Sequence, residues 1–115
     1  MNKNNIRKGN VFYANLDPII GSEQNGIRPV VIIQNNLGNK YSPTVVVAPI
    51  TSIIKKEKLP THIIITTPNI MQNKSMILLE QIRTIDKKRL MESIGTLDDK
   101  DLDLINKKLS NIFIS

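Results

Sequence analysis

The chain has no cysteine and no tryptophan, one histidine, two phenylalanines and two tyrosines among its 115 residues. Without thiols there is no disulfide, no zinc finger and no cysteine nucleophile. The single histidine, His62, cannot supply the paired imidazoles of a two-histidine ribonuclease, nor a histidine-rich metal site. So few aromatics argue against an aromatic-lined ligand groove. No apolar run exceeds six residues, far short of the roughly 20 that a membrane helix needs. The N-terminus, MNKNNIRKGN, is basic and polar with no apolar stretch behind it, so no signal peptide is expected. Together with the missing cysteines this points to the cytoplasm, with no membrane partner and no metal or other cofactor.

At this length one domain, residues 1–115, is expected, and 40% hydrophobic residues suffice for a real core. There are 16 lysines and arginines against 10 acidic residues, a net charge of +6. Residues 1–96 hold 13 basic and 6 acidic side chains, whereas residues 97–115 hold 3 lysines and 4 aspartates. The first part is therefore the basic one, and a polyanion is its natural partner. Solubility is the plainer explanation of the same charge.

The first two thirds read as short strands. Val11–Leu16 alternates, with Phe12, Ala14 and Leu16 on one face, and Asp17-Pro18 ends it. Val30–Gln34 is a β-branched run, followed by a turn at Asn35-Asn36 and Gly38-Asn39. Val45–Ile50, interrupted at Pro49, Thr61–Thr67 and finally Met76–Ile82 complete the expected strands. Asp86 is placed to cap a helical turn at Lys87–Leu90. Leu102, Ile105, Leu109 and Ile112 step by three or four, which predicts a C-terminal helix with these on one face. Asp98, Asp99, Asp101 and Asp103 then fall in its first turns, where the helix dipole favours negative charge; this explains them better than a metal site. Five or six strands and a closing helix predict a mainly β (α+β) fold, a small, partly open β-barrel.

The chemistry-bearing stretch is GSEQNGIRPVVIIQN, residues 21–35. A loop with two glycines leads into Arg28, and Pro29 opens a rigid apolar strand. The guanidinium so placed offers planar donors that suit a phosphate; pairing with Glu23 is the alternative. Thr51 and Ser52 end the Val45 strand, where two hydroxyls can donate to a phosphate oxygen or simply serve a turn. Lys55-Lys56-Glu57-Lys58 either tracks a nucleic-acid backbone or is a solvated loop. His62, without a second group titrating near neutrality, reads as structural. Glu80 and Gln81 interrupt an apolar run and need partners or a ligand.

Taken together, the chain resembles the MazF/PemK family of toxin endoribonucleases over nearly its whole length. The segments that carry the likeness are Arg7-Lys8-Gly9-Asn10, Asn15-Leu16-Asp17-Pro18, the loop at 21–35, SPTVVVAPITS at 42–52, LPTH at 59–62 and ILLEQIRTIDKKRL at 77–90. The sequence is most similar to chromosomal members from Gram-positive bacteria. The resemblance implies an SH3-like barrel of the MazF/CcdB type, a symmetric homodimer, and neutralisation by an acidic MazE-like antitoxin. It also implies metal-independent cleavage of single-stranded mRNA at a short site, one with an ACA core by extrapolation. By this likeness Arg28 and Thr51 are the catalytic residues, Ser22 and Glu23 belong to the loop over the site, and Gln81 faces the RNA. Two places depart from the family pattern. Asn10 stands where many members have aspartate, and 66–74 diverges, with Lys74 where an acidic residue is common; the second bears on RNA preference or dimer contacts. A non-enzymatic, CcdB-like toxin that binds a protein such as gyrase is the alternative on the same barrel.

Overall fold

β-Branched residues crowd the middle of the chain, and the strands form there. A computed structural model describes residues 5–17, 26–54 and 59–113. In chain order its elements are β1 (Asn10–Asn15), β2 (Ile27–Ile32), α1 (Asn36–Tyr41), β3 (Thr44–Thr51), β4 (His62–Ile64), β5 (Met76–Leu78), β6 (Arg83–Asp86), β7 (Leu90–Thr96) and α2 (Asp99–Phe113). Every strand pair is antiparallel. The order along the sheet is β4-β5-β3-β2-β1-β7, with β6 also paired to β3. The path has two ends, so the barrel is open. No helix among the described residues is long and apolar enough to cross a membrane.

Both faces of the sheet are packed, which is why β2 and β3 are apolar almost without a break. On one face Phe12, Ala14, Leu16, Val30, Ile32, Val45 and Val47 meet Ile85 and Leu90. On the other, Val11, Val31, Ala48 and Ile50 meet Ile63, Ile77 and Leu79 beneath Ile105 of α2, with Leu102 and Leu109 beside it. The alternation along Val11–Leu16 thus divides one strand between two cores. Ile112 is exposed, so the apolar stripe of α2 stops packing before the helix ends.

Several elements differ from the sequence expectation. Asn35-Asn36 and Gly38-Asn39 form no simple turn but the short helix α1, capped by the Asn35 side chain accepting from Gly38 N–H at 2.8 Å. Pro49 does not interrupt β3, which runs through it with Pro49 opposite Val30. The segment Thr61–Thr67 is extended only at His62–Ile64. Met76–Ile82 is not one strand: after Leu78 the chain makes a 3-10 turn at Leu79–Gln81. Two further strands, β6 and β7, follow it. Asp86 does cap the turn at Lys87–Arg89, accepting from Lys88 N–H at 2.8 Å.

Gly9 ties the start of β1 to the rest. Its N–H donates to Ile32 O and its carbonyl accepts from Leu97 N–H, both at 2.9 Å. Its φ is +90, and an added Cβ would stand 2.6 Å from Leu102 Cδ2 on α2. Glycine is required for the backbone angle as well as for the close approach. We expect Gly9→Ala to cost about 1–3 kcal/mol, read as a lowered thermal midpoint with far-UV circular dichroism unchanged at low temperature.

Candidate active-site cleft

The β2–β3 ladder pairs Ile32 with Val47, Val31 with Ala48 and Val30 with Pro49. That ladder ends at Val30 and Pro49, two residues short of Arg28 on one strand and of Thr51 on the other. Arg28 pairs with Ala14 of β1, and Thr51 with Met76 of β5. The two residues therefore lie just beyond the last β2–β3 pair, where β3 is still paired with β5.

An open cleft of about 350 Å³ lies there. Tyr13 of β1, Pro29 of β2, Ile50 at the end of β3 and Ser52 just after it belong to its lining. The segment 70–75 supplies Ile70, Met71, Gln72, Asn73 and Ser75, and Ile94 comes from β7. Arg28 is the one charged side chain among these lining residues. Mixed polar and apolar walls with a single guanidinium suit an anion attached to a planar group that also carries hydrogen-bonding edges.

Thr51 does not line the cleft. It is 5% exposed, and its Oγ1 accepts from Ile53 N–H at 3.1 Å, which leaves the hydroxyl proton to donate. Ser52, its neighbour, is exposed and does line it. Gln81 is half-buried on the 3-10 turn after β5, outside the lining of this cleft. Ser22 and Glu23, and the lysines of the 55–58 cluster, lie outside the described residues. The entry to the 18–25 loop is well held. Arg83 Nη1 donates to Leu16 O at 3.1 Å, and Arg89 donates to Asn15 O and Asp17 O. Gly26 N–H at the far end donates to Asp17 Oδ1 at 2.9 Å.

His62 and Glu80 answer one another. Nε2 lies 2.9 Å from Glu80 Oε2, and the imidazole is nearly buried, so this pair joins β4 to the 3-10 turn. Among the described residues no group of three or more His, Cys, Asp or Glu side chains could hold a metal ion.

Helix charge was an incomplete account of the aspartates. Asp98 caps α2 in the ordinary way, its Oδ1 accepting from Asp101 N–H at 3.2 Å. Asp101 is 1% exposed and turns back to the segment before the cleft wall. Its carboxylate accepts from Thr66 N–H at 3.0 Å, Thr66 Oγ1 at 2.7 Å, Thr67 N–H at 2.8 Å and Thr67 Oγ1 at 2.6 Å. Thr67 Oγ1 in turn accepts from Asp98 N–H at 2.9 Å. Sequence reasoning missed this clamp because an aspartate in a first helical turn already had a sufficient explanation.

Burial alone would raise the Asp101 pKa. The hydrogen bonds from Thr67 and Thr66, side chain and backbone, outweigh it and hold the carboxyl below its ordinary 3.8. A folded-state pKa below the unfolded one means stability that is present above the unfolded value and is lost as pH falls through the folded one. Asp101→Asn leaves one acceptor oxygen for four donors and should cost about 1–3 kcal/mol near neutrality. In paired thermal melts the gap to the parent protein should narrow once the pH drops below about 4.

A small, open antiparallel sheet with a C-terminal helix and one arginine in its cleft places the chain among compact open β-barrel proteins. The chain belongs to the family of PemK-like, MazF-like toxins of type II toxin-antitoxin systems, whose model matches residues 7–113. It is similar to the endoribonuclease EndoA of Bacillus subtilis, 50% identical over 90% of each chain. It is also similar to the endoribonuclease MazF of Staphylococcus saprophyticus, 55% identical over 90% of this chain and 88% of that one. Among solved structures, an endoribonuclease in complex with its cognate antitoxin from a mycobacterial species shares the fold, with a TM-score of 0.77, 21% identity and 92% of each chain covered.

Proposed function

We propose that this chain is the toxin of a type II toxin-antitoxin pair and a cytoplasmic endoribonuclease that cuts single-stranded mRNA without a metal ion. Family membership supports the class, and two relatives that are endoribonucleases by name favour RNA cleavage over a gyrase-binding toxin. What supports a site here is that Arg28 lines the cleft together with Ser52, and that Thr51 is the residue before Ser52 at the end of β3.

RNA brings its own nucleophile, so little is asked of the protein. The 2′-oxygen attacks the neighbouring phosphorus, the bond from phosphorus to O5′ breaks, the 2′-hydroxyl proton is lost and O5′ gains one. The products are a 2′,3′-cyclic phosphate and a 5′-hydroxyl. Arg28 binds the non-bridging oxygens, whose charge grows in the transition state. Thr51 donates its remaining hydroxyl proton as a hydrogen bond and fixes the phosphate for in-line attack. Ser22, Glu23 and Gln81 contact the strand on either side. The working form is a homodimer, and an acidic antitoxin opposes it by complementing the +6 charge.

Purified protein should cut a long RNA into discrete fragments in EDTA. Arg28→Ala and Thr51→Ala should each lower the rate about 10²–10³-fold while circular dichroism and the thermal midpoint stay near those of the parent. Cleavage abolished by EDTA, or an Arg28→Ala protein as fast as the parent, rules this mechanism out.

A further inference from the structure

An arginine and a threonine recognise phosphate, which every nucleotide carries, so this pair cannot choose where a strand is cut. Choice requires contact with base edges and faces. The cleft offers both in the wall that the segment 70–75 contributes. Gln72 and Asn73 are exposed and line it, and each carboxamide brings two donors and an acceptor. Ile70 and Met71 precede them in the same wall, and Tyr13 is 41% exposed on another, giving apolar and aromatic surface on which a base can rest.

A wall that discriminates must be held still. This one is anchored at both ends. At its far end Ser75 is 2% exposed, its carbonyl accepts from Ile65 N–H at 3.0 Å, and Met76 enters the sheet opposite Thr51. At its near end Pro68-Asn69 turns the chain, with Asn69 at φ 63, and the residues just before that turn are Thr66 and Thr67, held by Asp101 through four donors. The buried carboxylate lies on α2, outside the cleft, yet it fixes the point from which the wall springs.

We propose that the segment 70–75 is the specificity-determining wall of the cleft, with Gln72 and Asn73 contacting the base beside the scissile phosphate, and that Asp101 is its positioning residue. The inference rests on the reading of the cleft as the RNA site. Its test is the spectrum of cut sites, mapped by sequencing new 5′ ends after digestion of one long RNA mixture. Gln72→Ala with Asn73→Ala should change the base preference next to the cut. Thr67→Val, which keeps the shape and removes the hydroxyl, should broaden the preference in the same direction, while Thr67→Ser should restore the parent spectrum. All are compared well below their thermal midpoints, and the double surface variant keeps the test open if Thr67→Val fails to fold. A parent protein that cuts no RNA overturns the functional reading itself. A parent that cuts, with an unchanged spectrum in Gln72→Ala/Asn73→Ala, overturns the wall alone. An unchanged spectrum with a smaller sedimenting species also overturns it and assigns the segment to contacts between copies.

Discussion

Strand β3 hydrogen-bonds to three others along its eight residues. Thr44 to Val47 pair with β6, Val47 to Pro49 with β2, and Ile50 and Thr51 with β5. Pairing with β2 ends at Pro49, which has no N–H to give to a ladder. Beyond it β3 keeps β5 as its neighbour, and Ile50 and Ser52 line the cleft. A slip of one residue between β2 and β3 would exchange the faces of Val47, Ala48 and Ile50, and with them the two cores. It would also shift Thr51, at the end of β3, relative to Arg28 near the start of β2. The hydrophobic packing that sets the register therefore also sets where these two residues stand.

The second constraint runs through α2. Ile105 and its neighbours seat the helix on one face of the sheet, and Leu102 lies so close to Gly9 that a side chain there would have to displace it. Once seated, the helix delivers Asp101 to Thr66 and Thr67. A buried carboxylate is tolerated only with its lone pairs satisfied, and here four donors do so. The cost of leaving it unpaired is what makes the clamp selective for one conformation of the chain before the cleft wall. The C-terminal helix thus does more than cover the sheet.

How much of this could be read from the residues depends on which force dominated locally. The β1 alternation and the β-branched runs of β2 and β3 declare themselves because burial on one or both faces dictates residue type. The α2 stripe does so for the same reason. β7 does not: its burial pattern has exposed residues at Met91, Glu92 and Ser93, the pattern of a strand at the end of the sheet path with one neighbour. α1 was hidden by Gly38 and Asn39, ordinary turn residues, which here sit close under Gln34. Arg28 and Thr51 were singled out through family likeness and the order of segments, not through periodicity. The Asp101 clamp was not legible, since pairing a helix aspartate with two threonines 34 and 35 positions away leaves no local trace in a sequence.

Net charge proves the weakest guide of all. Arg83 and Arg89 are spent on backbone carbonyls at the root of the 18–25 loop. Lys87 donates to Asn39 O and Lys108 to Pro60 O, and Lys8 reaches Asn106 on α2. These cations still contribute to the long-range field that draws in a polyanion, but their side chains are fixed by the fold rather than presented to a strand. Attraction and recognition are consequently separate properties of this molecule. The first is spread over the surface and weakens with salt, whereas the cleft holds a single guanidinium among polar and apolar side chains. A variant that raised the net charge elsewhere would strengthen the long-range field and leave the cleft as it is, because neither the strand pairing that places Arg28 nor the Asp101 anchor before segment 70–75 would have changed.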